Sequence, residues 1–154
     1  MAATGEAAIA QLVAQLTQKD SRAACDAMRA LERESAVSAA VYPHLDDLVL
    51  LLADNNSLVR NRALCLIAAN AHWDTEGRLD GIIGSYLAHI GDEKPITARQ
   101  CIQGLPQIAQ HRPQLKNRIL TALRSADTDR YADSMRPLVE KDIQTAIRTI
   151  ENSD

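Results

Sequence analysis

Four arginines recur at a nearly constant interval along this chain of 154 residues. Arg22, Arg60, Arg99 and Arg136 are separated by 38, 39 and 37 residues, and apolar residues at helical spacing follow three of them. A period of this length, with two helices in each repeat, is typical of an α-solenoid, whose stacked hairpins bury a continuous core. The spacing therefore predicts an all-α protein of about four helical hairpins without a β-sheet.

The clearest hairpin spans residues 48–71. An apolar helix end is followed by the polar turn 54–57, in which Asn56 or Ser57 can cap the next helix. Val59, Ala63 and Ile67 then lie on one stripe at four-residue spacing, which predicts a buried face. One hairpin cannot bury both of its apolar faces, so this stripe also predicts neighbouring hairpins.

Residues 42–68 resemble a HEAT repeat. Pro43 opens the first helix, Asp54 lies in the turn, and the pair Val59 and Arg60 begins the second helix. The resemblance implies a right-handed α-α superhelix, a HEAT-like solenoid of the kind found in small bacterial HEAT-repeat proteins. It also implies a single domain, 1–154, with units at about 5–34, 39–73, 75–111 and 113–152.

The other units keep only parts of this pattern. Asp92 precedes Arg99 by seven residues, and Met135 stands before Arg136 where the repeat has a valine. In HEAT proteins the turn aspartate of one unit bonds the backbone or the arginine of a neighbour. The resemblance therefore implies a structural ladder made of Asp54, Arg60, Asp92, Arg99 and Arg136.

The sequence predicts several helix ends, two of them from a glycine and a proline. We expect a break at 34–38 between the first two units. Gly91 is expected to end the helix 75–90 with a positive φ, because glycine lacks the Cβ that disfavours this conformation. Pro106 is expected to kink or interrupt the helix 95–110, because proline lacks an N–H group and clashes with the preceding turn.

Composition excludes several classes of function. The formal net charge is −3 and the isoelectric point is about 5.8, so we expect a protein or peptide partner rather than a nucleic acid. The wholly apolar run 48–53 is far too short to cross a membrane. The first residues lack the basic segment of a signal peptide, so we expect a cytoplasmic protein.

No catalytic or metal-binding pattern occurs in the sequence. The cysteines at 25, 65 and 101 lack CxxC or CxxH spacing, and the four histidines share no metal-ligand spacing. A phosphate-binding glycine loop and a nucleophile elbow are also absent. We therefore expect a protein that is not an enzyme, needs no cofactor and packs its cysteines as small apolar residues.

A polar strip is predicted opposite the buried stripes of the second helices. In a HEAT stack these helices line the concave surface, so the resemblance places the strip in a groove. An ordinary solvated helix face is the alternative interpretation. The predicted partner-binding residues are Arg62, His72, Trp73, Gln100, Gln103, Gln107, Gln110, Lys141 and Arg148.

The leading functional hypothesis is a non-enzymatic interaction or scaffold module that binds a protein or peptide on this concave face. One alternative is an accessory protein of cofactor or iron–sulfur assembly, suggested by a likeness of residues 97–101 and 134–138 to small bacterial HEAT proteins. A less favoured alternative is a HEAT-like DNA glycosylase, for which Arg62, Trp73 and Asp74 fit superficially. The acidic chain argues against it, because phosphate binding requires a basic stripe.

Overall fold

The computed structural model describes residues 5–153, and within them all regular secondary structure is helical. The prediction of an all-α protein without a sheet is confirmed for this part of the chain. Four short 3₁₀ turns, at Tyr42–His44, Ala71–Trp73, Ala88–Gly91 and Pro113–Leu115, lie between the α-helices. The α-helices are α1 (Glu6–Gln15), α2 (Ser21–Val37), α3 (Leu45–Leu51), α4 (Ser57–Ala69), α5 (Leu79–Leu87), α6 (Pro95–His111), α7 (Lys116–Arg124) and α8 (Arg136–Glu151).

The even-numbered helices pack against one another in succession. Helix α2 contacts α4, α4 contacts α6, and α6 contacts α8. Three odd-numbered helices pack on the even-numbered ones that follow them in sequence, α1 on α2, α3 on α4 and α7 on α8, whereas α6 is contacted by the 3₁₀ turn after α5. One apolar cluster runs through all these contacts, so the helices share a single continuous core.

Helix α4 lies in the middle of this core and is buried on most sides. The predicted stripe is confirmed, since Val59, Ala63 and Ile67 are all buried. Leu64 and Leu66, which flank the stripe, are fully buried as well. A helix between α2, α3 and α6 has little solvated surface left, so a residue opposite its apolar stripe is not necessarily exposed.

Polar side chains fix the starts of several helices. Asp20 caps α2 by accepting from the backbone N–H of Arg22, and Asn56 caps α4 by accepting from Leu58 N at 3.0 Å. The sequence had offered Asn56 and Ser57 as alternative caps, and Asn56 is the one that caps α4. Each cap satisfies an N–H group that has no partner within its own helix.

Two expectations about helix ends are wrong, and one alternative of a third is excluded. Helix α2 continues to Val37 through the predicted break, and Ser35 within it is buried with its hydroxyl bonded to the carbonyl of Leu31. Gly91 ends a right-handed 3₁₀ turn, and among the described residues the positive φ belongs to Gly77, at 76°. Helix α6 continues through Pro106, so of the two expected effects, a kink or an interruption, the interruption does not occur.

A candidate binding cleft across three helices

A cleft of about 470 Å³ opens on the surface shared by α2, α4 and α6. We call it the central cleft. Helix α2 contributes two residues to it, α4 three and α6 four, while His72 lies just beyond the end of α4. The lining residues are Glu32, Ala36, Cys65, Ala68, Ala69, His72, Gln100, Gln103, Gly104 and Gln107.

Small residues form the bottom of the central cleft. Ala68 and Gly104 face each other where α4 and α6 approach, and a Cβ added to Gly104 would lie 3.0 Å from the Cβ of Ala68. The same Cβ would lie 2.3 Å from the hydroxyl oxygen of Tyr86, which donates to the carbonyl of Cys101. Position 104 therefore requires glycine for its lack of a side chain, and close packing below the cleft depends on it.

Three glutamines on one face of α6 form the polar side of the central cleft. Gln103 and Gln107 are exposed and Gln100 is half-buried. The Gln103 amide donates to Asp142 at 3.3 Å, whereas Gln100 and Gln107 make no hydrogen bond to any residue between 5 and 153. An amide group offers both donors and an acceptor, so these side chains can bond a ligand that carries either.

A cysteine and a glutamate meet on the opposite side of the central cleft. The Cys65 thiol donates to Glu32 Oε2 at 3.2 Å. Burial, and then the hydrogen bond to Glu32, raise the pKa of Cys65 to about 12. The thiol therefore stays protonated at neutral pH, and it is a hydrogen-bond donor here rather than a nucleophile.

The open surface continues from the central cleft towards α8. Gln103 also lines a smaller pocket of about 130 Å³ with Pro106 and Asp142, and a second of about 200 Å³ with Ile96 and Arg99. Gln103 thus lies where three depressions meet. An elongated ligand in the central cleft could continue across α6 without crossing a ridge at this residue.

The structure brings together four of the nine predicted groove residues. His72, Gln100, Gln103 and Gln107 all line the central cleft. Three others, Gln110, Lys141 and Arg148, are exposed but lie outside its lining. The remaining two, Arg62 and Trp73, have structural contacts instead.

Arg62 does not belong to the groove. Its side chain is buried, and Nη1 donates to the carbonyl of Leu16 at 3.0 Å. Leu16 follows the last residue of α1, where helix carbonyls lack partners within the helix and the helix dipole favours a cation. Arg62 therefore ties α4 to the end of α1. The sequence pattern missed this because it assumed that a central helix has a solvated face.

Trp73 also serves packing rather than the cleft. The half-buried indole contacts the apolar core, and its Nε1 donates to the carbonyl of Ser35 at 2.6 Å. The amide of Asn70 bonds the hydroxyl of the same serine at 3.0 Å. These bonds fasten the end of α4 to the last turn of α2. The ring of Trp73 lies 4.6 Å from that of His72, so it supports the residue that does line the cleft.

Of the predicted ladder arginines, Arg60 makes the most buried ion pair, between α4 and the start of α6. The guanidinium of Arg60 bonds both carboxylate oxygens of Asp92, at 3.0 and 2.9 Å, and it also bonds the carbonyl of Asp54. Asp92 further accepts from the backbone of Lys94 and from His89. Burial alone would raise the pKa of Asp92, but the bonds from Arg60, Lys94 and His89 outweigh it and lower that pKa.

The other ladder residues have different partners. The Asp54 carboxylate bonds the backbone of its own turn, at Asn56. Arg99 pairs with Asp142 on α8 at 2.6 Å, rather than with a turn aspartate. Arg136 bonds the carbonyl of Tyr131 at 3.0 Å, much as Arg60 bonds the carbonyl in its own preceding turn.

Asp74 has a structural role that the sequence analysis did not predict. Its buried carboxylate accepts from the hydroxyl of Tyr42 and from the backbone of Arg78 and Leu79 at the start of α5. The Asp74–Thr–Glu–Gly77 turn before α5 was the available signal, because an aspartate close to a helix start favours capping. With these bonds Asp74 is fully engaged in the fold.

Two further findings concern metal binding and membrane insertion. Between residues 5 and 153, histidine, cysteine, aspartate and glutamate side chains form no group of three or more that could hold a metal ion. Over the same range, no helix combines the length and apolar character needed to cross a lipid bilayer.

Comparisons with protein-family models, with curated proteins and with solved structures give no match to this chain.

Proposed function

We propose that this chain is a HEAT-type solenoid that acts as a non-enzymatic interaction module and binds an extended protein segment in the central cleft. The single observation that carries the proposal is the row of glutamine amides, Gln100, Gln103 and Gln107, at the edge of a cleft that crosses three helices. In a HEAT stack the second helices line the concave face, and α2, α4 and α6 are the second helices in this interpretation.

The dimensions suit an extended ligand. Packed helices lie roughly 8–10 Å apart. An extended chain advances about 3.3 Å per residue, so roughly three residues cover the step from one helix to the next. A segment crossing α2, α4 and α6 would present N–H and C=O groups to the amides of Gln103 and Gln107, which can bond both.

The proposed solenoid rests on the packing order and on one ladder contact. The even-numbered helices contact their even-numbered neighbours in turn, as stacked repeats require. The buried pair of Arg60 and Asp92 joins the second helix of one proposed unit to the turn of the next. Such contacts between neighbouring units are what a HEAT-type ladder provides.

The alternatives lack a supporting observation of this kind. Arg62, Trp73 and Asp74, on which the glycosylase hypothesis relied, each have structural partners inside the fold. For iron–sulfur assembly, Cys65 has a raised pKa and Cys101 is buried with its thiol bonded to the carbonyl of Tyr86. We therefore favour the interaction module.

Selection of peptides on the immobilised chain tests the proposal. Random dodecapeptides displayed on phage are selected on the wild-type protein and then measured against the Gln103→Ala/Gln107→Ala variant. We expect Kd to rise about ten-fold, because each lost amide removes bonds to the peptide backbone, while the melting temperature stays nearly unchanged.

A matched pair of glutamines supplies the control. Gln110→Ala/Gln144→Ala removes two exposed amides that do not line the central cleft, and it should leave peptide binding intact. If every selected peptide binds the Gln103→Ala/Gln107→Ala variant as tightly as it binds the wild type, the central cleft is not the binding site and the proposal fails.

A further inference from the structure

The central cleft carries a single formal charge, and it is negative. Of the residues that line it, only Glu32 is charged at neutral pH with histidine counted as neutral. The others are small, amide-bearing or neutral side chains, and the Cys65 thiol stays protonated. The cleft therefore contains one carboxylate, that of Glu32, together with several glutamine amide groups.

The carboxylate of Glu32 has no cationic partner among the described residues. Arg29 and Arg33 lie near it along α2, yet neither forms an ion pair with it. The arginines on α4 and α6 are engaged elsewhere, Arg60 with Asp92, Arg62 with Leu16 and Arg99 with Asp142. Only the thiol of Cys65 bonds Glu32, and it bonds one of the two carboxylate oxygens, Oε2.

We propose that the central cleft receives a basic side chain of the bound segment, an arginine in preference to a lysine, with Glu32 as its counter-charge. This inference rests on the proposed function and names the chemistry of the partner.

The arrangement of acceptors favours a guanidinium. Glu32 on α2 and the amide oxygens of Gln100, Gln103 and Gln107 on α6 approach the cleft from two sides. A guanidinium has five N–H donors in a fixed plane and can bond acceptors on both sides at once, whereas an ammonium is a compact and more strongly hydrated charge.

The small residues of the cleft suit the stem of such a side chain. Ala36, Ala68, Ala69 and Gly104 present methyl groups and backbone rather than bulky side chains. Basic residues bury their methylene stems on apolar surface and keep the charged end at polar groups. The imidazole of His72, at the edge, offers a flat ring on which a guanidinium can stack.

The test uses peptides from the phage selection whose binding depends on Gln103 and Gln107. We expect these peptides to share an arginine. Replacing it with citrulline, which has nearly the same shape but no charge, should raise Kd about ten-fold, and replacing it with lysine should raise Kd less. The protein variant Glu32→Gln should raise the Kd of the arginine peptide by a similar factor.

A double-change cycle assigns the effect to Glu32. On Glu32→Gln protein the citrulline peptide should bind about as well as the arginine peptide, because the pair is already broken. Glu76→Gln, which removes an exposed charge in the loop between α4 and α5, should leave all affinities unchanged. Melting temperatures of both variants should match the wild type.

The outcomes separate this inference from the proposed function. If peptides depend on Gln103 and Gln107 but bind equally well with citrulline, the inference is wrong and the interaction module stands. If replacing arginine with citrulline raises Kd by the same factor on wild-type and Glu32→Gln protein, Glu32 is not the counter-charge and its assignment is wrong. If no peptide depends on the two glutamines, both proposals are wrong.

Discussion

Arg60 and Arg99 occupy corresponding places at the starts of α4 and α6, yet they stabilise the fold in different ways. The side chains of Arg60 and Asp92 are 7% and 4% exposed, and two hydrogen bonds join them. The side chains of Arg99 and Asp142 are 29% and 14% exposed, and one hydrogen bond joins them. A buried ion pair therefore joins α4 to the start of α6, and an ion pair near solvent joins α6 to α8. We call the contact between two successive even-numbered helices a seam.

The cause lies 32 residues after each arginine. Asp92 stands at that distance from Arg60, but Tyr131 stands there after Arg99. The phenol of Tyr131 cannot accept a guanidinium as a carboxylate does, and it donates instead to the backbone carbonyl of Asp92. Arg99 turns to Asp142 on α8. One residue in the turn thus decides whether a buried arginine–aspartate pair forms.

The comparison predicts that Asp92→Ala is the most damaging single change at either seam. It leaves the guanidinium of Arg60 buried without its carboxylate and removes the acceptor for Lys94 N at the start of α6. Breaking one side of a buried pair costs roughly 3–5 kcal/mol. Urea unfolding measures this loss, and a value below about 1 kcal/mol would show that the pair contributes little to stability.

Trp73→Ala should come next, through the seam between α2 and α4. The variant loses core contacts and the bond to the carbonyl of Ser35, but the indole is only half-buried. We expect a loss of about 2 kcal/mol, less than for a fully buried tryptophan. Peptide affinity measured on the folded variant should change little. An unaltered free energy of unfolding together with lost peptide binding would show that Trp73 is a partner-binding residue, as the sequence predicted.

Acid should weaken the α4–α6 seam by a smaller amount. The pKa of Asp92 is lowered in the folded protein, so its contribution to stability is present above its unfolded pKa of about 3.9 and is lost as pH falls through the folded value. The free energy of unfolding should therefore fall more steeply below about pH 4 in wild type than in Asp92→Asn. Asp129→Asn, at an exposed turn residue, should keep the wild-type slope.

Asp142→Ala should have the smallest effect. The pair with Arg99 is partly solvated, and such pairs contribute roughly 0.2–1 kcal/mol. Urea unfolding of Asp142→Ala and Asp92→Ala under the same conditions compares the two seams directly. Equal losses would mean that burial of the Arg60 pair does not set the two seams apart.

Periodicity was sufficient to predict the helices and the core, because both depend on the local spacing of apolar residues. The stripe through Val59, Ala63 and Ile67 needed no knowledge of its neighbours. The orientation of Arg62 could not be predicted in this way, since it depends on where α1 ends relative to α4. The partner of Arg99 was equally inaccessible, because Tyr131 stands where the equivalent carboxylate would be and the acceptor comes from α8 instead.

The candidate site was predictable on one helix only. The spacing of Gln100, Gln103 and Gln107 placed them together on α6, and the structure keeps them together at the cleft. Glu32 was missed because the polar strip was traced from α4 to α8 and not back to α2. Which acidic residue of α2 faces α4 is decided by helix packing, which the contact with Cys65 reveals.

The central claim is that the seams hold the fold while the central cleft binds the partner. The most direct measurement is a ¹H–¹⁵N spectrum of the side-chain amides during titration with the tightest peptide from the selection. The account predicts shifts in the amides of Gln100, Gln103 and Gln107, with those of Gln110 and Gln144 unchanged. Shifts confined to Gln110 or Gln144, or spread equally over all five, would contradict it.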